Sequence, residues 1–472
     1  MSNSPDPAPI RMSEPLEQRA FRWVLFAGLL IMVAANAPGH LSFDSVVQLF
    51  EGRHGVRQTW APPLQSWLMG IFDEIVPGTG LYIAAIGLVL TAALASMVRL
   101  RDRSSWAAVI LAGAMVLSPM VLVWQGVVWK DIAYANLAIG AFVCLAHAAR
   151  HWGHRRATLL PLAGALILFA CAAQMRQNGL VAVLVGALAL GWTARVEGWR
   201  KALGWGAGGL IAVMVLSSLI GIIAQPKGSS SGEDSRKGLR VVQHYDIVGA
   251  LAHDPDLDLA IIGKASPRAL EVIRTEGLRV YSPDRVDYFA QSKTLGKVLW
   301  PLPDKVVSAQ WRDVILHHPG AYLAHRFDVF RWVFAQPEIE LCLPVFVGVS
   351  GREDMLKDLK IPAGVEPQDQ VLANYATWFY YTPVYSHLAY ALVALLVGLV
   401  LLARRDAPDM VMVGLMASSL GFSASFFIIS VACDYRYLYV QDLTAMAGVL
   451  YLALDPPVAQ IRALIARLRQ GG

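Results

Sequence analysis

The residue types able to handle a phosphorylated substrate sit in four short segments of this chain, each at the end of an apolar stretch. The first is the loop from Asn36 to Trp67, whose leading acid is Asp44. The second is the turn WQGVVWKD with Lys130 and Asp131, and the third is MRQNG with Arg176 and Asn178. The fourth is CDYRYLYVQ with Asp434, Arg436 and Tyr437. A carboxylate within hydrogen-bond reach of a hydroxyl can take its proton as the oxygen attacks. Arginine offers paired contacts to a phosphate and lysine a compact charge. Three cations and three acids at one depth can meet in a pocket that holds a phosphate at headgroup level, with its lipid tail between helices.

Each of these residues also has a plain structural reading. Asp131 and Asn178 can cap the helices that follow them, and Ser42 or Asp44 can cap its own. Lys130, Arg176 and Arg436 can snorkel to headgroups. Glu51 and Arg53 read as a solvated face, and His40 and His54 as isolated structural histidines. The WAPPL turn serves equally as a rigid bend. The functional signal is that these groups share one side of the membrane.

That side is set by the elements around them. The chain has 472 residues, 56% hydrophobic and 16% charged, with mean hydropathy +0.48; soluble proteins carry about a quarter charged residues. Runs of roughly 20 apolar residues, the length that crosses hydrocarbon, recur at about 21–38, 79–98, 105–123, 132–149, 158–174, 179–194, 203–224, 383–402, 409–431 and 438–455. The expected fold is an all-α polytopic membrane protein of about ten spans. The first run ends in Ala35-Asn36-Ala37, which mimics a cleavage site, but Pro38 and the length of the run favour an uncleaved helix. Clustered arginines follow every second span, which places those loops and both termini in the cytoplasm and the protein in the cell (inner) membrane. The four segments then face outward, into the periplasm or extracellular space. The net charge of +5 reflects this orientation bias, and no basic patch interleaves with aromatics as nucleic-acid binding would require. Span interiors lack charge, Asp442 lying nearest the middle, which argues against a coupled transporter.

Within the first loop, Asp44 opens a short amphipathic run. Val46, Val47, Leu49 and Phe50 are expected on lipid and Gln48 and Glu51 in water, with Gly52 ending the run. Trp60, Pro62 and Pro63 then turn the chain back, and a second surface helix is expected near 63–76. The expected organisation is a disordered tail (1–20), a membrane part (21–224), a mainly helical outer domain (225–382), three further spans (383–455) and a cytoplasmic tail (456–472). The outer domain opens with a Gly/Ser linker and returns to the membrane through HHPGAYLAHRFDVFRWVF. Cys144 and Cys171 fall in spans. Cys342 and Cys433 both fall on the outer side, where free thiols are favoured over a pair.

Asp44 in the first outer loop, the Pro-Pro turn, Lys130-Asp131 before span four and Arg176-Gln177-Asn178-Gly179 before span six together resemble the GT-C superfamily, multispanning glycosyltransferases that use polyprenyl-phosphate sugars. The likeness covers roughly residues 21–224 plus CDYRYLY. Ser45 stands where many members have a second acid, and Ala61 where relatives often have His. The resemblance implies an inverting transfer from a polyprenyl-phosphate-linked sugar donor to a glycan, lipid or protein acceptor. Asp44 would be the general base, and Lys130, Arg176 and Arg436 would bind the donor phosphate. Asp131, Asp434, Asn178, Tyr437, Gln48 and Trp60 would support these groups or contact the sugar. No cofactor is required, although a divalent Mg or Mn ion among Asp44, Asp131 and Asp434 is compatible. The rival expectations are an oligosaccharide polymerase or ligase with a diphosphate-linked donor, a lipid-linked-sugar transporter, and a structural component whose outer domain binds a partner.

Overall fold

The structure, a computed structural model, describes residues 14–59, 62–226 and 232–456. Trp60 and most of the final tail lie outside these residues. Helices dominate, and the described residues contain isolated β-bridges but no strand. Nine of the described helices are long and apolar enough to cross a membrane, which makes this a multi-pass membrane protein; a tenth crossing results if Trp106–Leu117 and Pro119–Gly126, bent by 59°, form one broken span. The break falls at Ser118-Pro119. Proline has no N–H to continue the helix, and Ser118 Oγ instead accepts a hydrogen bond from the Met120 amide at 3.2 Å.

The helices are α1 (Leu16–Asn36), α2 (Phe43–His54), α3 (Leu64–Ile75), α4 (Gly80–Ser96), α5 (Trp106–Leu117), α6 (Pro119–Leu122), α7 (Lys130–Arg150), α8 (Arg155–Met175), α9 (Leu180–Ala194) and α10 (Trp199–Ala224). After them come α11 (Gly232–His253), α12 (Asp304–His317), α13 (Pro319–Ala335), α14 (Pro367–Thr377), α15 (His387–Arg404), α16 (Ala407–Ile429) and α17 (Tyr439–Leu454). Helix α7 is the centre of the bundle and is buried on nearly every face. Its alanines at 133, 135, 138, 141 and 146 let α4, α8, α16 and α17 approach closely, as small residues do between helices in lipid. A polar network fixes the top of α7: Gln125 bonds Asn136 at 2.7 and 3.0 Å and donates to Tyr439 Oη at 2.9 Å.

The described residues of 225–382 divide between two cores. One, around Tyr245, Val248, Ile273, Leu295 and Val314, belongs to a helical unit separate from the membrane-spanning bundle, the outer unit of the sequence expectation. Val333, Ile339, Met355, Leu359 and Ala376 join the membrane core instead. At the far end of the bundle, Arg101 pairs with the buried Asp409, which also accepts from Tyr451 Oη at 2.8 Å. Arg404 pairs with Asp455 at 3.0 Å there, and Arg150 with Asp102 at 2.6 Å. A polar cavity of about 1010 Å³ opens among these groups, at the end opposite Asp44.

Helix α2 is not a surface helix. Val46, Val47 and Leu49 are buried, and so are Gln48 and Glu51, which the amphipathic pattern placed in water. Its apolar face meets protein, not lipid. Gly52 lies inside the helix, which runs on to His54 and ends at Gly55, where φ is 61°. The reason is a tight crossing with α3. A Cβ on Gly52 would stand 2.1 Å from the Ser66 carbonyl oxygen, and one on Gly70 2.5 Å from the Gly52 oxygen. Glu51 is buried because its carboxylate organises the next loop, accepting from the amides of Gln58 and Thr59 at 2.6 and 2.5 Å and from Ser66 Oγ at 2.7 Å. Arg53 is likewise not a solvated residue: it holds Asp73 with two bonds of 2.7 Å and the Leu359 carbonyl at 2.9 Å.

The cysteine expectation is also corrected. Cys342 and Cys433 form a disulfide, with Cα atoms 4.7 Å apart across a sequence separation of 91 residues. The fold brings the end of α16 under the loop after α13, a proximity that sequence spacing does not carry.

Candidate active site

The site is built on the short connection from α1 to α2. Residues 40–41 lie between two other segments, with parallel bridges His40 to Val127 and Leu41 to Val349. The His40 amide donates to Gly126 O at 2.9 Å, and the Val128 amide to His40 O at 3.0 Å. On the other side, the Leu41 amide donates to Gly348 O and the Ser350 amide to Leu41 O, both at 2.9 Å. The His40 ring locks the arrangement, its Nε2 2.9 Å from Asn36 Oδ1 and its Nδ1 accepting from the Gly348 amide at 3.1 Å. Burial pushes its pKa down against the opposing pull of Asp369, which keeps the ring neutral and Nδ1 free to accept. This agrees with a structural histidine.

These bonds tie the start of α2 to the start of α7. Trp129 Nε1 donates to Ser42 Oγ at 2.8 Å, and Ser45 Oγ donates to Val128 O at 2.7 Å. Asp44, in the first turn of α2, and Lys130, the first residue of α7, are thereby neighbours. Ser42, not Asp44, occupies the cap position. The Asp44 side chain is 54% exposed and forms an ion pair with Arg436 at 3.0 Å.

Arg436 is the hub. Its guanidinium pairs with Asp44 and, at 2.8 Å, with Asp434. It lies over the Trp129 ring, 5.0 Å from the centroid. Asp434 also caps the 3₁₀ turn Tyr435–Leu438, accepting from the Arg436 amide at 3.2 Å. Burial pushes the Asp434 carboxyl up and Arg436 pulls it back down. Lys130 is within electrostatic reach of Arg176, Arg436, Asp44 and Asp434.

Arg176 pairs with Asp131 rather than with a residue of its own turn. Both are buried, their side chains 10% and 2% exposed. The rings of Phe422, Phe426 and Tyr437 surround the guanidinium at 5.4–5.6 Å. Burial lowers the Arg176 pKa to about 10, with Tyr437 raising and Arg436 lowering it, so the group stays charged at neutral pH. Asn178 reaches across to Ser425 Oγ at 3.2 Å instead of capping α9. Gln48 is buried one turn along α2 from Asp44.

The arrangement brings together Asp44, Lys130, Asp131, Arg176, Asp434, Arg436 and Tyr437, with Asn178 at its side. Three cations face three carboxylates, and Asp44 is the most exposed member of its ion pairs. The sequence does not mark the aromatic lining. Phe422 and Phe426 are spaced i, i+4 on a span, where apolar residues read as lipid contacts, and only the cations they enclose mark them. The three carboxylates do not fit a shared metal, because each is committed to a guanidinium. Among the described residues no group of three or more His, Cys, Asp or Glu could hold a metal ion.

No family model matches the chain, and no curated protein matches it. Solved structures similar to it include those of the archaeal oligosaccharyltransferase of Archaeoglobus fulgidus. One is a complex with Zn and sulfate, at TM-score 0.42 and 15% identity, covering 95% of this chain and 51% of that one. Another, the AglB protein in complex with an inhibitory peptide and a dolichol-phosphate, has TM-score 0.44 and 13% identity, covering 95% of this chain and 52% of that one. The chain thus spans about half the length of these structures.

Proposed function

We propose that this chain is an inverting glycosyltransferase of GT-C type. It moves a sugar from a polyprenyl-phosphate donor to an acceptor hydroxyl on the outer face of the cell membrane. The observation that carries the reading is the position of Arg436, which joins Asp44 to Asp434 while Lys130 and Arg176 stand beside it. A lone carboxylate or a lone cation at a helix end has a bland explanation; a set drawn from four segments around one partly exposed carboxylate supports the reading more strongly.

The reaction follows from this set. The acceptor hydroxyl oxygen attacks the anomeric carbon and Asp44 takes its proton. The bond from that carbon to the phosphate oxygen breaks on the opposite face, and its electron pair leaves with the polyprenyl phosphate. Lys130, Arg176 and Arg436 stabilise the charge gathering on that phosphate. Without donor, Arg436 is satisfied by Asp44. An arriving phosphate competes for the same guanidinium, and the exchange releases Asp44 to act as base. Asp131 and Asp434 hold Arg176 and Arg436 in place, and Asn178 and Tyr437 contact the sugar. No step passes through a metal.

The charge balance favours a monophosphate donor over the diphosphate of a polymerase or ligase. Arg176 and Arg436 pair with three carboxylates and Lys130 is the third cation of the set, so a singly charged phosphodiester is met by Lys130 and by Arg436 as it leaves Asp44, whereas a diphosphate brings a second charge. A transporter reading is disfavoured because Asp442, the acid nearest the middle of a span, is taken up by His387 and Tyr435 at 2.9 and 2.8 Å. The test is transfer from a panel of radiolabelled polyprenyl-monophosphate and polyprenyl-diphosphate sugars, with products read by mass. Product from a monophosphate donor is expected, and product from diphosphate donors alone would contradict the reading.

A further inference from the structure

The segment that delivers Arg436 to the site is held from outside the membrane part. Between the end of α16 and the 3₁₀ turn at Tyr435, the chain runs extended through residues 430–434. Ser430 O accepts from Arg326 Nη1 at 2.7 Å. Val431 O accepts from the Val286 amide at 2.8 Å, and the Cys433 amide donates to Asp284 O at 2.6 Å, so that Ala432 forms an antiparallel bridge with Arg285. Cys433 is then bonded to Cys342, whose neighbour Leu341 accepts from Arg285 Nη2 at 2.6 Å. Asp434 and Arg436 follow Cys433 by one and three residues.

These holding groups are rooted in the core of the outer unit. Arg326 is fully buried and pairs with the equally buried Asp246. Asp246 also accepts from Trp311 Nε1 at 2.6 Å and lies 3.1 Å from His325 Nε2. On the membrane side, Tyr435 Oη donates to Asp442 at 2.8 Å. The backbone before Arg436 is therefore fixed from above by the outer unit and from below by α17, and the Arg436 side chain projects from between.

We propose that the Cys342–Cys433 disulfide, with the backbone pair it closes, is a positioning device for the donor cradle: it holds Arg436 where it can exchange Asp44 for a donor phosphate. The outer unit then serves the site by fixing this segment, and the protein works at full strength only when the disulfide is formed. The assignment of Arg436 to donor phosphate rests on the function proposed above, whereas the mechanical claim stands apart from it.

The test uses the full-length protein in lipid nanodiscs in three forms: oxidised, reduced with dithiothreitol, and Cys342→Ser/Cys433→Ser. Reduction is confirmed by alkylation, which should rise from two thiols to four. Hydrogen exchange is read for peptides covering residues 430–438, and KM is read separately for a polyprenyl-phosphate-sugar donor and for the acceptor. The expected result is faster exchange in 430–438 and a donor KM raised about tenfold, as for the weakening of one charge-assisted contact, with the acceptor KM nearly unchanged. Unchanged exchange in fully reduced protein overturns the proposal. Faster exchange with an unmoved donor KM, or with an equal rise in both KM values, also overturns it, since that is what a merely structural bond would give. Reduction of the folded wild type decides the matter alone should the serine variant not be recovered. If no form transfers sugar, the proposed function falls, and the exchange data still decide whether the disulfide holds the segment.

Discussion

At the scale of single residues, the decisive feature is that the ion pairs cross between segments. Sequence neighbours such as Lys130-Asp131 invite local pairing, yet Asp131 goes to Arg176 and Asp44 to Arg436. This makes a structural and a catalytic role separable. Arg176→Ala leaves the buried Asp131 carboxylate unpaired, and removing one partner of such a pair destabilises by about 3–5 kcal/mol. Removing both partners is far milder. The double variant Arg176→Ala/Asp131→Ala is therefore expected to regain most of the lost thermal stability, measured by differential scanning fluorimetry, while donor use stays defective. Recovery of donor use along with stability would leave Arg176 a purely structural residue. The cations stand out in the sequence, because basic residues in short loops assigned to the outer side run against the usual bias. Their aromatic surroundings do not, because Phe422 and Phe426 look the same in sequence whether they face lipid or a guanidinium.

At the scale of elements, α2 shows what periodicity leaves open. The apolar and polar residues from Asp44 to Glu51 predict a helix, and the structure has one over Phe43–His54, but the pattern does not say what covers it. The covering is α3, and the sign of it is the pair Gly52 and Gly70, each needed for close approach of two backbones. Gly52→Ala is expected to destabilise by at least the about 1–3 kcal/mol of an overpacked interior and to lower transfer by shifting Asp44. Gly55, left-handed with open space at its Cβ position, should accept Asn with little effect, since Asn tolerates that conformation. Equal melting temperatures for Gly52→Ala and wild type would mean that the two helices do not cross as described. The buried Glu51 follows the same lesson: a charged residue on an apparent water face can instead be the acceptor that shapes the next loop.

At the scale of the whole molecule, the spans were recovered from hydrophobic length almost throughout, the exception being the break at Pro119. The folding of residues 333–382 against the membrane core was not legible, because the apolar residues of that segment come in short runs broken by proline, glycine and charge, and it docks through scattered residues such as Val333, Met355 and Ala376. Nor was the disulfide, which joins residues 91 apart in sequence. The arginine-rich ends and the Asp44 site lie at opposite ends of the bundle, which yields a topology prediction. In a background with Cys144 and Cys171 replaced by alanine, a cysteine at the exposed Glu353 should react with a membrane-impermeant maleimide in intact cells. A cysteine at the exposed Asp102 should react only after the cells are opened. The reverse pattern would turn the protein over in the membrane and put the site in the cytoplasm.

The most direct measurement of the central claim compares Asp44→Asn with wild type for both donor binding and sugar transfer. Loss of the general base lowers transfer by about 10²–10⁴-fold. Loss of the anion that competes for Arg436 leaves donor binding as tight as before or tighter. Weaker donor binding with transfer reduced only in proportion would contradict the account, because Asp44 would then be a binding residue and the base would lie elsewhere.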